Sequence, residues 1–274
     1  MGSVIQVELP RTTYYTGEVL EGTLVLALDS PEKARGLHIE FIGRETTENT
    51  RGSGEHRHTY RSTHDHVAWA LPLLGEGAIA PGAYRFPFRF QIPAEAVPSY
   101  VGRHANVKYT LTARLDIPLW PDTTWSTEIF VYYDRNSVRQ FAKPARFLSS
   151  GPTHEFLVEL DGDRFFAREM IACQITLLRL NDVQPRQIYV RFTGGEWAQA
   201  QHAEETTQTF SQEMALPMES LPLGAPCAFE IPIPGEVQSS YRGRYSYYTY
   251  MISVGLDVPW ARDIVAQTPI VVVR

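Results

Sequence analysis

The chain has 274 residues, of which 43% are apolar and 20% are charged, and its formal net charge is −6. This length and composition predict a globular protein with room for two domains, and they exclude a fibrous or largely disordered chain. The acidic balance argues against general nucleic-acid binding, which needs a basic surface that releases phosphate counterions.

The chain start has no basic, continuously apolar segment of the kind found in secretory leaders, and no apolar stretch approaches the ~20 residues that span a bilayer. The two cysteines, Cys173 and Cys227, are too few for a disulfide-rich secreted domain. Their apolar neighbours predict two reduced thiols in the core. We therefore expect a cytoplasmic protein without a transmembrane segment, and peripheral association with a membrane through a partner stays open.

Short runs of alternating polarity follow one another along the first half, which is typical of half-buried β-strands. The predicted strands are 19–28, 37–42, 84–92, 107–115 and 127–133. Turn residues separate these runs, at Gly17, Gly52, Pro81 and Pro121. Short, evenly spaced strands with glycine and proline turns predict an all-β sandwich or barrel.

The second half of the chain repeats the first. Segments 99–118 and 240–259 share eight of 20 residues in register, at an offset of 141 (240 − 99). Two shorter segments match as well: 90–93 with 229–232, and 41–45 with 192–196. A repeat of half the chain indicates two copies of one domain. We predict domains at 1–135 and 153–274, joined by a polar linker at 136–152.

Three ordered motifs in the first half resemble those of the arrestin family. They are Tyr15-x-Gly17-Glu18-Val19-x-x-Gly22, Gly82-x-Tyr84-x-Phe86-Pro87-Phe88-x-Phe90-x-Ile92-Pro93, and Pro98-Ser99-Tyr100-x-Gly102-Arg103-His104 leading to Leu115-Asp116. The resemblance implies two tandem homologous domains of the immunoglobulin-like, arrestin-like β-sandwich type. It also implies a non-enzymatic adaptor or scaffold, without a cofactor, that binds other proteins through sheet faces and strand edges.

No catalytic motif accompanies this pattern. The sequence contains no G-x-S-x-G, no phosphate-binding P-loop, no H-E-x-x-H and no dinucleotide fingerprint. We therefore predict no catalytic residues. The alternatives to an adaptor are a sandwich that binds a carbohydrate or another small ligand, and a metal-binding protein centred on histidines.

Four of the eight histidines lie in segment 55–66, namely His56, His58, His64 and His66. A His-x-His pair on a strand places both imidazoles on one face, a spacing that can chelate zinc, copper or nickel. A hairpin turning at Arg61 would gather all four histidines into one patch. A turn at Ser53, which the flanking glycines favour, would instead spread them along one strand, too far apart to share a metal.

For the turn at Ser53, the predicted partners of the histidines across the hairpin are Glu40, Ile42, Glu48 and Thr50. This interpretation predicts a solvated, mobile hairpin and no metal site. The four histidines therefore stay weak metal candidates.

A cluster of tyrosines near the end of the repeat is the other candidate site: Tyr245, Tyr247, Tyr248 and Tyr250. On a strand, Tyr248 and Tyr250 share one face, and the other two share the opposite face. An exposed tyrosine ladder is a candidate partner-binding surface, because tyrosine offers contact area at low entropic cost. Cross-strand packing is the alternative.

Overall fold

The computed structural model describes residues 3–150, 154–180, 185–218, 221–260 and 262–274. In chain order its elements are β1 (Ser3–Glu8), β2 (Thr13–Tyr15), β3 (Val19–Leu28), β4 (Glu32–Ala34), β5 (Gly36–Arg51), a 3-10 turn (Gly54–His56), β6 (His58–Leu74), β7 (Gly77–Ile79), β8 (Gly82–Gln91), β9 (Tyr100–Val101), β10 (Ala105–Asp116), β11 (Thr123–Tyr132), α1 (Arg135–Arg139), β12 (Ala145–Ser150), β13 (Glu155–Leu160), β14 (Arg164–Phe166), β15 (Met170–Arg179), β16 (Gln187–Ala200), β17 (Ala203–Pro217), β18 (Pro226–Pro232), β19 (Tyr241–Arg242), β20 (Ser246–Asp257) and β21 (Ile264–Val273). The predicted all-β class is confirmed.

The chain divides into two compact units. Unit 1 comprises Met1–Asp134 and two short later segments, Gln199–Ala203 and Gly243–Tyr245. Unit 2 comprises the remaining residues.

Unit 1 contains two main sheets. The first has the strand order β1-β3-β8, and the second has the order β2-β11-β10-β5-β6, with β9 paired to β10. Strands β4 and β7 form a separate two-stranded ribbon. All pairs in the two main sheets are antiparallel except β2 with β11, which is parallel.

The core of unit 1 is formed by the side chains that point to the inner face of each strand, which are every second residue. Every second residue of β10 is buried, as the two-residue period of a strand requires when one face packs against another layer. Leu24 and Leu26 of β3 and Phe41 of β5 have no exposed surface. Full burial of each such side chain contributes about 1.5–3 kcal/mol to the free energy of folding.

Unit 2 repeats this topology. Its sheets have the orders β12-β13-β15-β18 and β14-β21-β20-β16-β17, with β19 paired to β20. Strands β13, β15 and β18 therefore correspond to β1, β3 and β8, and β20 corresponds to β10. The predicted duplication is confirmed: β10 ends at Asp116 and β20 ends at Asp257, at the offset of 141 found in the sequence (257 − 116).

Equivalent hydrogen bonds show that the correspondence extends to single side chains. Ser99 N donates to Val131 O (2.7 Å), and Val131 N donates to Ser99 Oγ (3.0 Å). Ser240 and Val272 make the same two bonds at 2.7 and 3.0 Å. Each serine thus ties the loop before β9 or β19 to the last long strand of its unit.

The described part of the predicted linker 136–152, residues 136–150, carries regular structure, and residues 151 and 152 lie outside the described residues. Helix α1 lies against β14, since the guanidinium of Arg135 lies 4.4 Å from the ring centre of Phe166 and Arg139 forms an ion pair with Glu169. Strand β12 pairs with β13 and so belongs to a sheet of unit 2. Only its pairing with the next strand reveals β12, because its own sequence is short and has little alternation. The domain limits stay a prediction.

Both cysteines are free. Cys173 lies in the core of unit 2, where burial raises the pKa of its thiol to about 12. Cys227 is half-buried on β18. Of the two reduced core thiols that the sequence predicts, Cys173 lies in the core, whereas Cys227 does not.

Candidate partner-binding site

The histidine segment lies on the long β5–β6 hairpin, whose turn falls at residues 52–57. His56 is in the 3-10 turn, and His58, His64 and His66 lie on β6. The hairpin therefore turns near Ser53 and not at Arg61.

The predicted partners across this hairpin are wrong. His58 lies opposite Arg51, and His64 lies opposite Glu45. The register differs for two reasons: the 3-10 turn lengthens the loop, and an irregularity between Gly43 and Arg44 shifts the pairing further along the strands.

The four histidines do not form one cluster. His56 and His58 are exposed near the turn, whereas the rings of His64 and His66 lie 4.8 Å apart in an edge-to-face arrangement. The Nε2 of His66 lies 3.0 Å from Oε2 of Glu45. Among the described residues, no group of three or more His, Cys, Asp or Glu side chains has the geometry to hold a metal ion. The arrangement is that of a histidine–carboxylate pair.

Glu45 is fully buried, and it holds a short later segment of unit 1. Its carboxylate accepts hydrogen bonds from the backbone N–H groups of Arg244 (2.7 Å) and Tyr245 (3.0 Å). A buried carboxylate is costly unless such partners replace its hydration. The sequence carries a signal for this residue, since Glu45 ends the repeated segment 41–45 and its counterpart Glu196 is also buried.

Two further buried polar residues follow Glu45 on the same face of β5. Thr47 donates to the carbonyl of Gln199 (2.6 Å), and Asn49 donates to the carbonyl of Ala203 (2.8 Å). Glu45, Thr47 and Asn49, at every second position of β5, thus form hydrogen bonds with the two later segments that belong to unit 1.

On β20, Tyr248 and Tyr250 share one face and Tyr247 lies on the other, as predicted, whereas Tyr245 precedes the strand. Tyr248 and Tyr250 are 2% and 1% exposed and pack in the core of unit 2, where a partner cannot reach them. Tyr245 and Tyr247 are half-buried. The ring of Tyr247 stacks on Trp197, with centres 5.1 Å apart and planes at 17°. Only these two tyrosines remain accessible candidates.

The edges of the equivalent sheets differ between the units. In unit 2, β12 pairs antiparallel with β13 along all six residues, so the edge of β13 is covered. In unit 1 the equivalent strand β1 pairs with β3, and no strand of the described residues pairs with its other edge. The side chain of Val4 on this strand is 60% exposed. Sequence patterns did not find this site, because an unpaired edge is defined by what the rest of the fold leaves uncovered.

A groove continues this open edge at the end of β1. It has a volume of about 880 Å³ and is lined by residues of β1, β3 and β8, among them Glu8, Glu21, Phe88 and Arg89. The equivalent groove in unit 2 is smaller, about 660 Å³, and Pro144–Arg146 at the start of β12 form part of its lining. The first residues of β12 thus form one side of the groove in unit 2. In the described part of unit 1, no strand lies at the equivalent position.

Gly22 lies at the floor of the groove. A Cβ atom at this position would approach Glu8 O to 2.7 Å and both Leu9 Cδ2 and Phe88 Cζ to 2.8 Å, closer than real Cβ contacts. Glycine is therefore needed where β3 passes the end of β1.

Comparisons with known proteins agree with the motifs and the fold. Residues 4–134 match the family described as "Arrestin (or S-antigen), N-terminal domain". The chain is 31% identical to mouse (Mus musculus) arrestin domain-containing protein 4 over 131 residues, which is 43% of this chain and 32% of that protein. It is 22% identical to Dictyostelium discoideum arrestin domain-containing protein A over 293 residues, covering 97% of this chain and 50% of that protein.

The matched region thus spans a third to a half of these relatives. The described part of the chain contains no helix with the length and hydropathy that a membrane crossing requires. The ordered motifs, the duplicated sandwich topology and the matched region lead to one assignment. Residues 4–134 belong to the arrestin N-terminal domain family, and the chain as a whole is arrestin-like.

Proposed function

We propose that this protein is a non-enzymatic adaptor whose partners bind at the outer edge of β1. The observation that carries the proposal is the difference between the units: β12 pairs with the edge of β13, whereas no strand of the described residues pairs with β1 on that side. An open edge presents backbone N–H and C=O groups that can hydrogen-bond an added extended segment. The arrestin-like character of the chain supports binding without turnover, and a cytoplasmic location is part of the same proposal.

The experiment compares partner binding by the full chain and by a Val4→Lys, Gln6→Lys double variant. Both side chains are exposed, so the core stays intact, and lysines on an edge strand disfavour strand addition. Proteins captured from the native host are identified, and each is then purified for affinity measurements and hydrogen–deuterium exchange. We expect a partner that protects residues 3–9 from exchange and binds the variant about tenfold more weakly.

The matched control is Glu155→Lys, Leu157→Lys, which changes the equivalent positions of β13 (155 − 4 = 157 − 6 = 151). Because β12 already covers that edge, this variant should bind like the unchanged protein. Equal affinity of the β1 variant and the control, with exchange protection elsewhere, would contradict the proposal. So would reproducible turnover by the purified protein.

The half-exposed tyrosines are a second candidate surface within this proposal. Tyr247 with Trp197 offers an aromatic contact area of the kind enriched at protein interfaces. Tyr247→Lys would weaken binding only if this face, and not the β1 edge, contacts the partner. The same affinity measurement therefore separates the two surfaces.

A further inference from the structure

The most exposed large apolar side chains of unit 1 lie in the turn between β10 and β11, which we call the β10–β11 tip (residues 117–121). Leu119 is 97% exposed and Trp120 is 75% exposed, more than any other large apolar side chain in the described part of unit 1. Side chains with so little contact to the fold contribute almost nothing to the core. Two adjacent side chains of this kind indicate a site that contacts something outside the molecule.

The backbone of the tip is fixed in an unusual conformation. Leu119 has a φ of 65°, in the left-handed region that favours glycine. Pro118 precedes it and Pro121 follows one residue later, and their rings limit the conformations that the tip can adopt. A leucine at this position costs stability that a glycine would not, and its exposed side chain recovers none of that cost within the protein. The tip is therefore a preformed apolar projection, which loses little entropy on contact.

The tip carries no charge, and the nearest charge in the sequence is paired. Residues 117–121 read Ile-Pro-Leu-Trp-Pro. The carboxylate of Asp122 accepts hydrogen bonds from the N–H of Ile117 (3.1 Å) and from Nε of Arg114 (2.7 Å). Removing water from the tip therefore strands no unpaired charge at Asp122, which keeps the cost of entering an apolar medium low.

The equivalent turn of unit 2 keeps an exposed apolar residue and differs in charge. Trp260 corresponds to Leu119 at the offset of 141, is fully exposed and has a φ of 59°. Arg262, however, stands where unit 1 has Pro121 (262 − 121 = 141), and Asp263 follows it. Both of these charged residues are exposed. Of the two turns, the β10–β11 tip is therefore the one that can leave water at low cost.

We propose that the β10–β11 tip inserts Leu119 and Trp120 into the interfacial layer of a lipid bilayer. A protein partner would need a pocket shaped to a projecting tip, whereas a bilayer accepts a projection without a matching shape. Tryptophan favours the boundary between headgroups and acyl chains, and leucine favours the hydrocarbon below it. Because the tip has no cation, insertion depends on buried apolar area, so a zwitterionic membrane suffices. An anchor of two side chains gives weak, reversible binding.

The probe is a vesicle of pure phosphatidylcholine, mixed with the full chain and separated by flotation. We expect the floating fraction of the protein to rise with lipid concentration and to be the same at low and high salt, since no ionic attraction is involved. Absence of flotation at any lipid concentration would overturn the inference. So would binding that requires anionic lipid and is lost at high salt, because cations elsewhere on the surface would then be responsible.

The double variant Leu119→Gly, Trp120→Ser removes the apolar side chains of the tip and leaves the core intact. Since glycine adopts the left-handed backbone without strain, urea denaturation should show a variant at least as stable as the unchanged protein. We expect its partition onto vesicles to fall about tenfold. Val101→Ser, which changes another exposed apolar side chain of unit 1, is the matched control and should bind like the unchanged protein. Equal partition of both variants would contradict the inference.

Fluorescence quenching identifies the residue that enters the bilayer. Phosphatidylcholine with brominated acyl chains quenches tryptophans that insert among them. Trp120→Phe should still float but lose most of the quenching, and Trp260→Phe should keep it. The reverse pattern would mean that the turn of unit 2 is the anchor, which would overturn the inference. If the vesicles do not bind and the double variant instead loses a captured protein, the tip contacts a protein and the assignment to lipid is wrong.

Discussion

At the scale of single residues, Glu45 combines full burial with several hydrogen-bonding partners. Among them are two backbone N–H groups of the segment Gly243–Tyr245 and the imidazole of His66. Both bonds to the N–H groups are partly shielded from water. Removing one acceptor oxygen therefore leaves a partly buried donor unpaired.

We predict that Glu45→Gln lowers the free energy of unfolding by about 2–3 kcal/mol, the cost of a buried charged hydrogen bond. Urea denaturation followed by tryptophan fluorescence would measure the change. Glu48→Gln is the control, because Glu48 lies on the exposed face of the same strand and pairs with Arg61 in water. That change should cost less than about 0.5 kcal/mol. Equal costs for the two variants would show that Glu45 gains nothing from its burial.

Two buried tyrosines hold the same loop in each unit. Tyr109 donates its hydroxyl to Val97 O (2.6 Å), and Tyr250 donates to Gln238 O (2.9 Å), positions related by the offset of 141 (250 − 109). Burial is the main cause that raises the pKa of both phenols above the ordinary value of 10.0.

The raised pKa values predict a loss of stability at alkaline pH. Above pH ~10 the unfolded chain releases these protons while the folded protein retains them, so each tyrosine lowers the free energy of unfolding by about 1.4 kcal/mol per pH unit. The double variant Tyr109→Phe, Tyr250→Phe should be less stable than the unchanged protein at pH 8, and its stability should fall less steeply above pH 10. Urea midpoints between pH 8 and 11 would measure both slopes, and parallel slopes would contradict the prediction.

At the scale of elements, sequence reasoning found what depends on local patterns. The alternation in β3 and β10, and the repeated serine and tyrosine of segment 99–118, predicted the strands and their duplication. It did not find β12, whose six residues carry little alternation and become a strand only by pairing with β13. The register of the β5–β6 hairpin was missed because loop length and an irregular pairing, which composition does not encode, set it.

The hairpin also separates histidines with different roles. We predict that His56→Gln, His58→Gln leaves the melting temperature unchanged within about 1 °C, since both residues are exposed near the turn. His66→Gln should lower it measurably, because its ring is half-buried against Glu45. Thermal unfolding of both variants, with and without Zn²⁺, would test this. Zinc-dependent stabilisation that the first variant abolishes would instead support a metal site.

At the scale of the whole molecule, unit 1 is not one continuous stretch of sequence. Residues 1–134 supply Glu45, Thr47 and Asn49, but their partners come from Gln199–Ala203 and Gly243–Tyr245. A sequence-based domain limit near residue 135 cannot reveal this dependence. Repeats and linker composition report on local chain order and contain no information on which distant segments complete a fold.

We therefore predict that a fragment of residues 1–134 is markedly less stable than the same residues in the full chain. The fragment lacks the hydrogen bonds that the two later segments make with Glu45, Thr47 and Asn49, and since water then solvates the freed side chains, each lost bond should cost about 0.5–1.5 kcal/mol. The fragment carrying Thr47→Ala, Asn49→Ala should be about as stable as the unchanged fragment, because the hydrogen bonds of both side chains are already absent from it. Circular dichroism and urea denaturation of both fragments would measure it. A fragment as stable as the full chain would refute the prediction.

The open edge of β1 has a further consequence for how the protein behaves at high concentration. An uncovered strand can pair with the same strand of another molecule, which is a common start of aggregation. The exposed carboxylate of Glu8 and the polar side chain of Gln6 lie on the strand that would form such a contact, and polar or charged residues on an edge strand act as gatekeepers against it. Because β12 shields β13, this protection is needed in only one of the two copies, so selection against self-association should act on β1 far more strongly than on β13.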